Sequence, residues 1–488
     1  MNIIKNFDNY SKASFFNVFF FSLNVITYLV MTPLLVNKLG SEIFGIWSIL
    51  WAIVQFSGIA NFGAGTTLTK FISQYSIFEK DRSNLGGSII FGYLFLLITG
   101  IITTLALLLA ENFIINNIKL ENVSQNDFGE GYFFIALSII PQFIQQVSKG
   151  ILYGLLKNSI IGALDFFQLI ILWSGLIYLS YNNLTIRFIG VWCITNISIF
   201  SIITTLISSR SIRKFSPIFK INKNLIKEIF NYSFFTWINQ LGINLFQNLD
   251  KVIVGLILTP SLAGVYSIAT SLALRINMLL GQITQVLIPY ASRQIAENKE
   301  HKIIRTYKNI QNFSSWMLVI ISSITIIWIP EILKLWISST YSHHYSFIFT
   351  TIIVSYTIFS LHRPAHQILS GIGLVKFPAI ITFISGIFML FLLYLLTYKY
   401  GIIGSAFSNF GYCLVLLMNF YLLKKYSQHS LIDTILIILP PIIFILIAYY
   451  IVSLLEFSFG LKVLMSTFIL IFFSFFYIKK IKKIVLFN

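Results

Sequence analysis

The sequence predicts an all-α, polytopic membrane protein of about fourteen transmembrane helices, in two six-helix bundles related by a parallel internal repeat, plus two C-terminal helices. Three observations support this. Of the 488 residues, 57% are hydrophobic and only 10% are charged, against about 25% charged in soluble proteins, and the mean hydropathy is +0.84. The apolar residues fall in runs near the roughly 20 needed to cross a bilayer. Finally, short stretches recur at an offset of 219 residues, as from Gly45 to Gly264.

The expected spans lie near 13–36, 42–65, 87–110, 131–153, 158–180, 187–208, 232–258, 262–288, 313–337, 345–369, 374–397, 401–423, 432–453 and 460–478. The first follows Lys5 and Lys12 and lacks a small-residue cleavage site, so it reads as a retained span rather than a signal peptide. The 48 Phe, 24 Tyr and 8 Trp suit lipid contact and anchoring at the interface. Cys193 and Cys413 both lie in apolar runs, without CxxC or Cys/His spacing. They read as buried, inert thiols, and no metal or cofactor is expected.

Lysine and arginine set the orientation. With the N-terminus inside, 24 of the 34 fall in cytoplasmic segments, notably "SRSIRKFSPIFKINKNLIKE", "SRQIAENKEHKIIRTYK" and "KKIKK". Lys38, Lys119, Arg187, Lys334, Lys399 and Lys462 fall outside. Both termini are therefore expected in the cytoplasm. The formal charge of +18 follows from this topology and an anionic inner leaflet, and nucleic acid is not an expected partner.

The repeat pairs "LGSEIFGIWSI" with "LTPSLAGVYSI", and "YGLLKNSII" with "IGLVKFPAI", which matches Gly154 to Gly373 and Lys157 to Lys376. "RFIGVW" resembles "GIIGSA" at a slightly smaller offset. Six helices per repeat is an even number, so both halves keep the same orientation, and such halves commonly enclose a substrate site. The expected organisation is a bundle over 1–208, a basic linker over 209–231, a second bundle over 232–425, and two extra helices with a basic tail over 426–488.

Polar residues line up within the spans. Gln240, Asn244, Gln247, Asn248 and Lys251 share a helical face in span 7. Ser271, Arg275, Gln282 and Gln285 do so in span 8, Gln142, Gln145, Gln146 and Lys149 in span 4, and Ser14, Asn17, Asn24 and Tyr28 more weakly in span 1. Span 10 carries His362, Arg363 and His366. The in-span bases Lys149, Lys251, Arg275 and Arg363 outnumber the two acids read there, Asp165 and Asp250. Such stripes suit a wet, cationic cavity for an anionic substrate such as a phosphate, pyrophosphate or acidic sugar. Arg275 has two compatible readings, pairing with Asp250 or contact with that anion. Asp165 could pair with Lys149 or serve ion coupling, and Asp250 is the other coupling candidate. Lys149, Lys157 and Lys376 lie near the inner interface, where snorkelling is the default reading. No Walker A, GxSxG or HExxH motif occurs, so neither ATP hydrolysis nor covalent catalysis is expected.

At "PLLVNKLGSEIFGIWSILWAIVQFSGIANFGAGTTLTKFIS" the chain resembles polysaccharide-unit flippases of the multidrug/oligosaccharidyl-lipid/polysaccharide exporter superfamily. "FQNLDKVIVGLILTPSLAGVYSIATSLA" supports the resemblance, which spans roughly residues 10–425. It implies two bundles in a V around a central cavity, and transport of an undecaprenyl-pyrophosphate-linked oligosaccharide, for O-antigen or a related glycan, to the outer leaflet of the bacterial plasma membrane. The implied partners are that glycolipid, membrane lipids, and a polysaccharide polymerase with its chain-length regulator. The substrate-binding candidates are Arg275, Lys251, Arg363, His366, Lys149, Asn244, Asn248 and Gln240, with Asp250 and Asp165 for ion coupling or structural pairing. Rival readings are a cation-coupled multidrug antiporter, a peptidoglycan-precursor flippase, and a glycan polymerase or ligase. The first would favour an acidic lumen, and the last would need a larger outer loop than the sequence contains.

Overall fold

The computed structural model describes residues 2–76, 81–155, 157–181, 185–220, 223–284, 287–296, 300–374, 376–426, 430–454 and 458–471. Among the described residues there are nineteen α-helices: α1 (Asn2–Ser57), α2 (Ala64–Tyr75), α3 (Arg82–Asn117), α4 (Gln125–Leu137), α5 (Ile139–Gly154), α6 (Asn158–Ser180), α7 (Ile186–Ile212), α8 (Lys223–Asn244), α9 (Asp250–Ile257), α10 (Pro260–Thr284), α11 (Leu287–Ala296), α12 (Glu300–Ile327), α13 (Ile329–Trp336), α14 (Ser339–Ser360), α15 (Arg363–Gly371), α16 (Lys376–Ser408), α17 (Leu417–Tyr426), α18 (Ser430–Leu454) and α19 (Phe459–Ile471). Among the described residues there is no strand. Eight helical stretches there are long and apolar enough to cross a membrane, and the protein is a multi-pass membrane protein.

Some expected spans are joined and others broken. Spans 1 and 2 run through α1 and bend at Gly40, whose φ is 78°. Span 2 then continues beyond its expected end: the chain breaks at Phe62 and Gly63, both left-handed, and resumes as α2. Spans 11 and 12 run through α16 with a bend at Gly401, φ 60°. Span 4 is split into α4 and α5, and span 10 into α14 and α15. A five-residue π turn, Leu245–Leu249, interrupts span 7.

The chain forms two compact units, Met1–Gly264 and Val265–Asn488. In the first, α4 and α5 pack on α7, α1 on α6, and α2 and α3 on α5. Its core gathers Leu68, Phe71 and Ile72 of α2 with Phe143, Val147 and Ile151 of α5. The basic segment 209–231 lies inside this unit, where α8 packs on α2 and α3 and α9 on α1. In the second, α12 packs on α18, α13 on α14, and α11 on α15.

The repeat is visible in how each unit packs. A Cβ on Gly154 would lie 2.9 Å from the Thr69 oxygen and 2.9 Å from Ile72 Cβ. One on Gly371 would lie 2.5 Å from the Ile288 oxygen and 2.9 Å from Ala291 Cβ. Thr69 to Ile288 and Ile72 to Ala291 are each 219 residues apart, the offset of the repeat. Glycine therefore lets α5 touch α2, and α15 touch α11, at matching places, the small-residue packing that lipid-embedded helices need. This corrects the pairing of Gly154 with Gly373: Gly371 is its structural counterpart, and Gly373 sits past the end of α15 with φ 81°.

The C-terminal helices are fastened to the second unit. Lys308 of α12 and Asp433 of α18 lie 2.6 Å apart, and Trp316 meets Phe444 edge-on. Lys462 of α19, 6% exposed, pairs with Glu331 of α13 at 2.5 Å. The Trp328 indole donates to Ser466 at 2.8 Å.

Candidate functional site

In the first unit, the span 4 stripe stands on α5. Lys149 pairs with Asp165 of α6 at 2.7 Å, their side chains 23% and 36% exposed. Of the two roles open to Asp165, the structure shows the pairing. Gln145 donates to Gln168 Oε1 at 2.9 Å. Gln146 Oε1 accepts from Asn61 at 2.7 Å, and the Asn61 Oδ1 accepts from the Gly63 backbone at the same distance. Two of the stripe's glutamines thus satisfy neighbouring helices and the break in span 2.

The span 7 stripe climbs through the π turn. Asn244 donates to the Gln240 carbonyl at 2.9 Å, and Asn248 donates to Asn244 Oδ1 at 2.9 Å. Asn244, Gln240 and Asn248 are all half-buried. The Lys251 amine turns back to the Gln247 carbonyl and lies 3.5 Å from Asp250 Oδ1. Asp250 is fully buried, and the Lys251 side chain is 12% exposed. A π turn inserts a residue into the hydrogen-bond ladder and is frequent where a helix carries function.

The second unit holds the arginines. Arg275, on α10, donates to the Ser271 carbonyl at 2.9 Å. Arg363 begins α15, and its Nη2 donates to Asn277 Oδ1 of α10. Asn277 in turn donates to Ser360 Oγ. Beside them Gln311 of α12, fully buried, donates to the Leu361 carbonyl at 2.7 Å and to Ser315 at 2.9 Å. The His362 and His366 rings lie 6.1 Å apart, and His362 Nδ1 contacts the Phe359 carbonyl. Among the described residues Arg363 makes no ion pair, and its Nε has no hydrogen-bond partner. No cluster of three or more His, Cys, Asp or Glu suitable for a metal occurs among them.

The structure thus joins Lys149 with Asp165, Lys251 with Asp250, and the Gln240–Asn244–Asn248 series, and places Arg363 beside His362 and His366. Arg275 and Arg363 both stand in the second unit. Gln285 and the "KKIKK" tail lie outside the described residues, as do the side chains of Ser14, Asn17 and Gln282. Sequence reasoning missed Asn277 and Ser360, single polar residues in apolar runs, and Gln311, in the polar stretch just before span 9; Asn277, two positions after Arg275, was the most visible. It also passed over Glu331 and Glu42 at the edges of runs. Glu42, 8% exposed, accepts from the Glu121 and Asn122 backbones at 2.7 and 2.9 Å and from the Asn122 side chain at 2.9 Å. That loop also sends Lys119 to the Ile257 carbonyl at 3.2 Å, and its Glu121 accepts from Ser261 at 3.0 Å.

Residues 12–294 match the family described as polysaccharide biosynthesis protein. The chain belongs to this family. It is 23% identical over 418 residues, 84% of this chain and 94% of the other, to a Shigella flexneri protein named "Putative O-antigen transporter". Its fold is that of the lipid II flippase MurJ in an inward closed conformation, with TM-score 0.66 and 18% identity over 96% of this chain and 99% of the other. An inward-facing multidrug resistance transporter of the MATE family, in the MOP superfamily, gives TM-score 0.65 and 13% identity over 86% and 94%. The protein is thus a family member with the MOP-superfamily transporter fold.

Proposed function

We propose that this family member is a flippase that moves an undecaprenyl-pyrophosphate-linked oligosaccharide, the repeat unit of O-antigen or a related surface polysaccharide, from the inner to the outer leaflet of the bacterial plasma membrane. Both termini would face the cytoplasm, which puts the 117–124 loop outside. Arg363 carries the reading. A guanidinium at membrane depth is costly unless it meets an anion or water, and the partner found for it is a neutral amide, Asn277. A pyrophosphate supplies the missing charge, and arginine holds phosphate through paired N–H groups. Asn277, itself held by Ser360, aims the guanidinium; Arg275 and His366 would add cationic or hydrogen-bonding contacts to the headgroup. Within the first unit, Gln240, Asn244 and Asn248 are amides of the kind a glycan hydrogen-bonds, while Lys149 and Lys251 are taken up by Asp165 and Asp250.

The family and the Shigella relative support a glycan cargo. A multidrug antiporter on the same fold would call for acids able to meet a cation, whereas Asp165 and Asp250 each lie against a lysine. Deleting the gene and extracting the lipids tests the reading. Accumulated single lipid-linked units with loss of surface glycan, restored by the wild-type chain and not by Arg363→Ala, is the expected result. Unchanged surface glycan would overturn it, and units already facing outward would mark a polymerase instead.

A further inference from the structure

Where α7 ends, the chain turns through Arg213–Phe215, passes Ser216 in the left-handed region with φ 46°, and lays residues 217–220 across the start of α3. The Ile218 amide donates to the Arg82 carbonyl at 2.9 Å. Gly86 and Gly87 make this crossing feasible: a Cβ on them would lie 2.2 Å from the Ile218 oxygen and 2.5 Å from the Lys220 oxygen. The crossing roofs a pocket of about 650 Å³. Its walls include Ile90, Leu94, Ile151 and Ile212, with Arg213 and Phe219 at the roof. Tyr93 also lines it, but its hydroxyl is engaged with Ser148 at 2.9 Å, which leaves the walls largely hydrocarbon.

Two features fix the direction of an occupant. Leu94 begins an exposed apolar row on α3 that continues through Ile98, Ile102, Leu105 and Leu109, one helical face. At the other end the exposed Arg213 side chain makes no hydrogen bond or ion pair among the described residues, and Arg210, Lys214, Lys220 and Lys223 stand exposed in the same short segment. No acid occurs between residues 210 and 227; the nearest in sequence to the two strands of the crossing are Asp81 and Glu228. The pocket therefore presents hydrocarbon below and, above, a basic segment whose Arg and Lys residues outnumber the two nearby acids, Asp81 and Glu228.

We infer that this pocket is a binding site for an anionic phospholipid of the inner leaflet, one acyl chain between α3 and α7 and the headgroup phosphate on Arg213. Basic pockets between membrane helices on the cytoplasmic side recognise such headgroups. The occupant is a resident lipid, not the transported one, and the assignment does not depend on which glycan, if any, the protein moves.

The test uses the full-length protein in detergent, with bound lipid counted by native mass spectrometry. Phosphatidylglycerol, phosphatidylcholine and undecaprenyl phosphate are added in turn. Wild type retains one phosphatidylglycerol in preference to phosphatidylcholine. Arg213→Gln lowers that preference about fivefold, the factor expected for one basic group at an anionic surface. Ile90→Trp, which fills the pocket, removes the retained copy, while its lipid-free thermal midpoint shows that the fold persists. Equal retention of both phospholipids, or no change in either variant, overturns the inference. Stronger retention of undecaprenyl phosphate also overturns it and makes the pocket part of the substrate path.

Discussion

Lys149 of α5 and Asp165 of α6 form an ion pair at 2.7 Å, which takes up an acid that could otherwise have bound a cation. Both side chains keep partial access to surroundings, at 23% and 36%, so the pair sits between the exposed and buried regimes. Lys149→Met or Asp165→Asn alone is expected to destabilise by about 1–3 kcal/mol, because each strands the other charge. The double variant recovers most of that loss. A double-mutant cycle of unfolding midpoints in detergent reads the coupling, and additive single effects would show the pair to be energetically idle.

The glycine crossings predict matched damage in the two units. Gly154→Ala must push back Ile72 and the Thr69 carbonyl, and Gly371→Ala must displace the Ile288 carbonyl at a closer 2.5 Å. Overpacking of this kind costs roughly 1–3 kcal/mol, with the greater loss at Gly371. By contrast Gly58→Ala, where nothing lies within 4 Å of the new Cβ, leaves the midpoint nearly unchanged and serves as the control.

Glu42 ties the 117–124 loop to α1 through backbone amides. Glu42→Gln replaces a charged acceptor by a neutral amide whose nitrogen faces donors, a loss of about 1.5–3 kcal/mol. Proteolysis within residues 117–124 should accelerate while the helices stay protected; an unchanged cleavage rate would mean the loop is held by Lys119 and Glu121 alone.

For Arg363 the distinguishing experiment is a conservative series. Arg363→Lys keeps the charge but loses the planar fork, so glycan export should fall partway, and Arg363→Ala should abolish it. Asn277→Ala leaves the guanidinium unaimed and is expected to weaken export without removing it. Surface glycan per cell, normalised to the amount of folded protein in the membrane, separates these losses from misfolding.

The helical, membrane-spanning character was legible in the sequence because apolar run length is a local, additive signal. The pairing of Lys149 with Asp165 was legible too, as one of two alternatives. The joins at Gly40 and Gly401 were not, since a glycine bend and a short loop look alike in composition. The two-residue slip that replaces Gly373 by Gly371 was hidden because the motif match followed residue identity, whereas packing follows which backbone comes close. Asn277 escaped notice because a single amide in an apolar run gives no periodicity, and Gln311 because it stands in a polar stretch ahead of its span; the partner of each, a guanidinium or a carbonyl, is far away in sequence.

The Lys462–Glu331 pair has a consequence for the order of synthesis. Ribosomes deliver α13 more than a hundred residues before α19, so Glu331 enters the bilayer with its lysine not yet made, and the Trp328 indole without its serine. During that interval the edge of the second unit is unfinished. Only when residues 458–471 arrive does the charge find its partner, so this late segment completes the edge of the second unit.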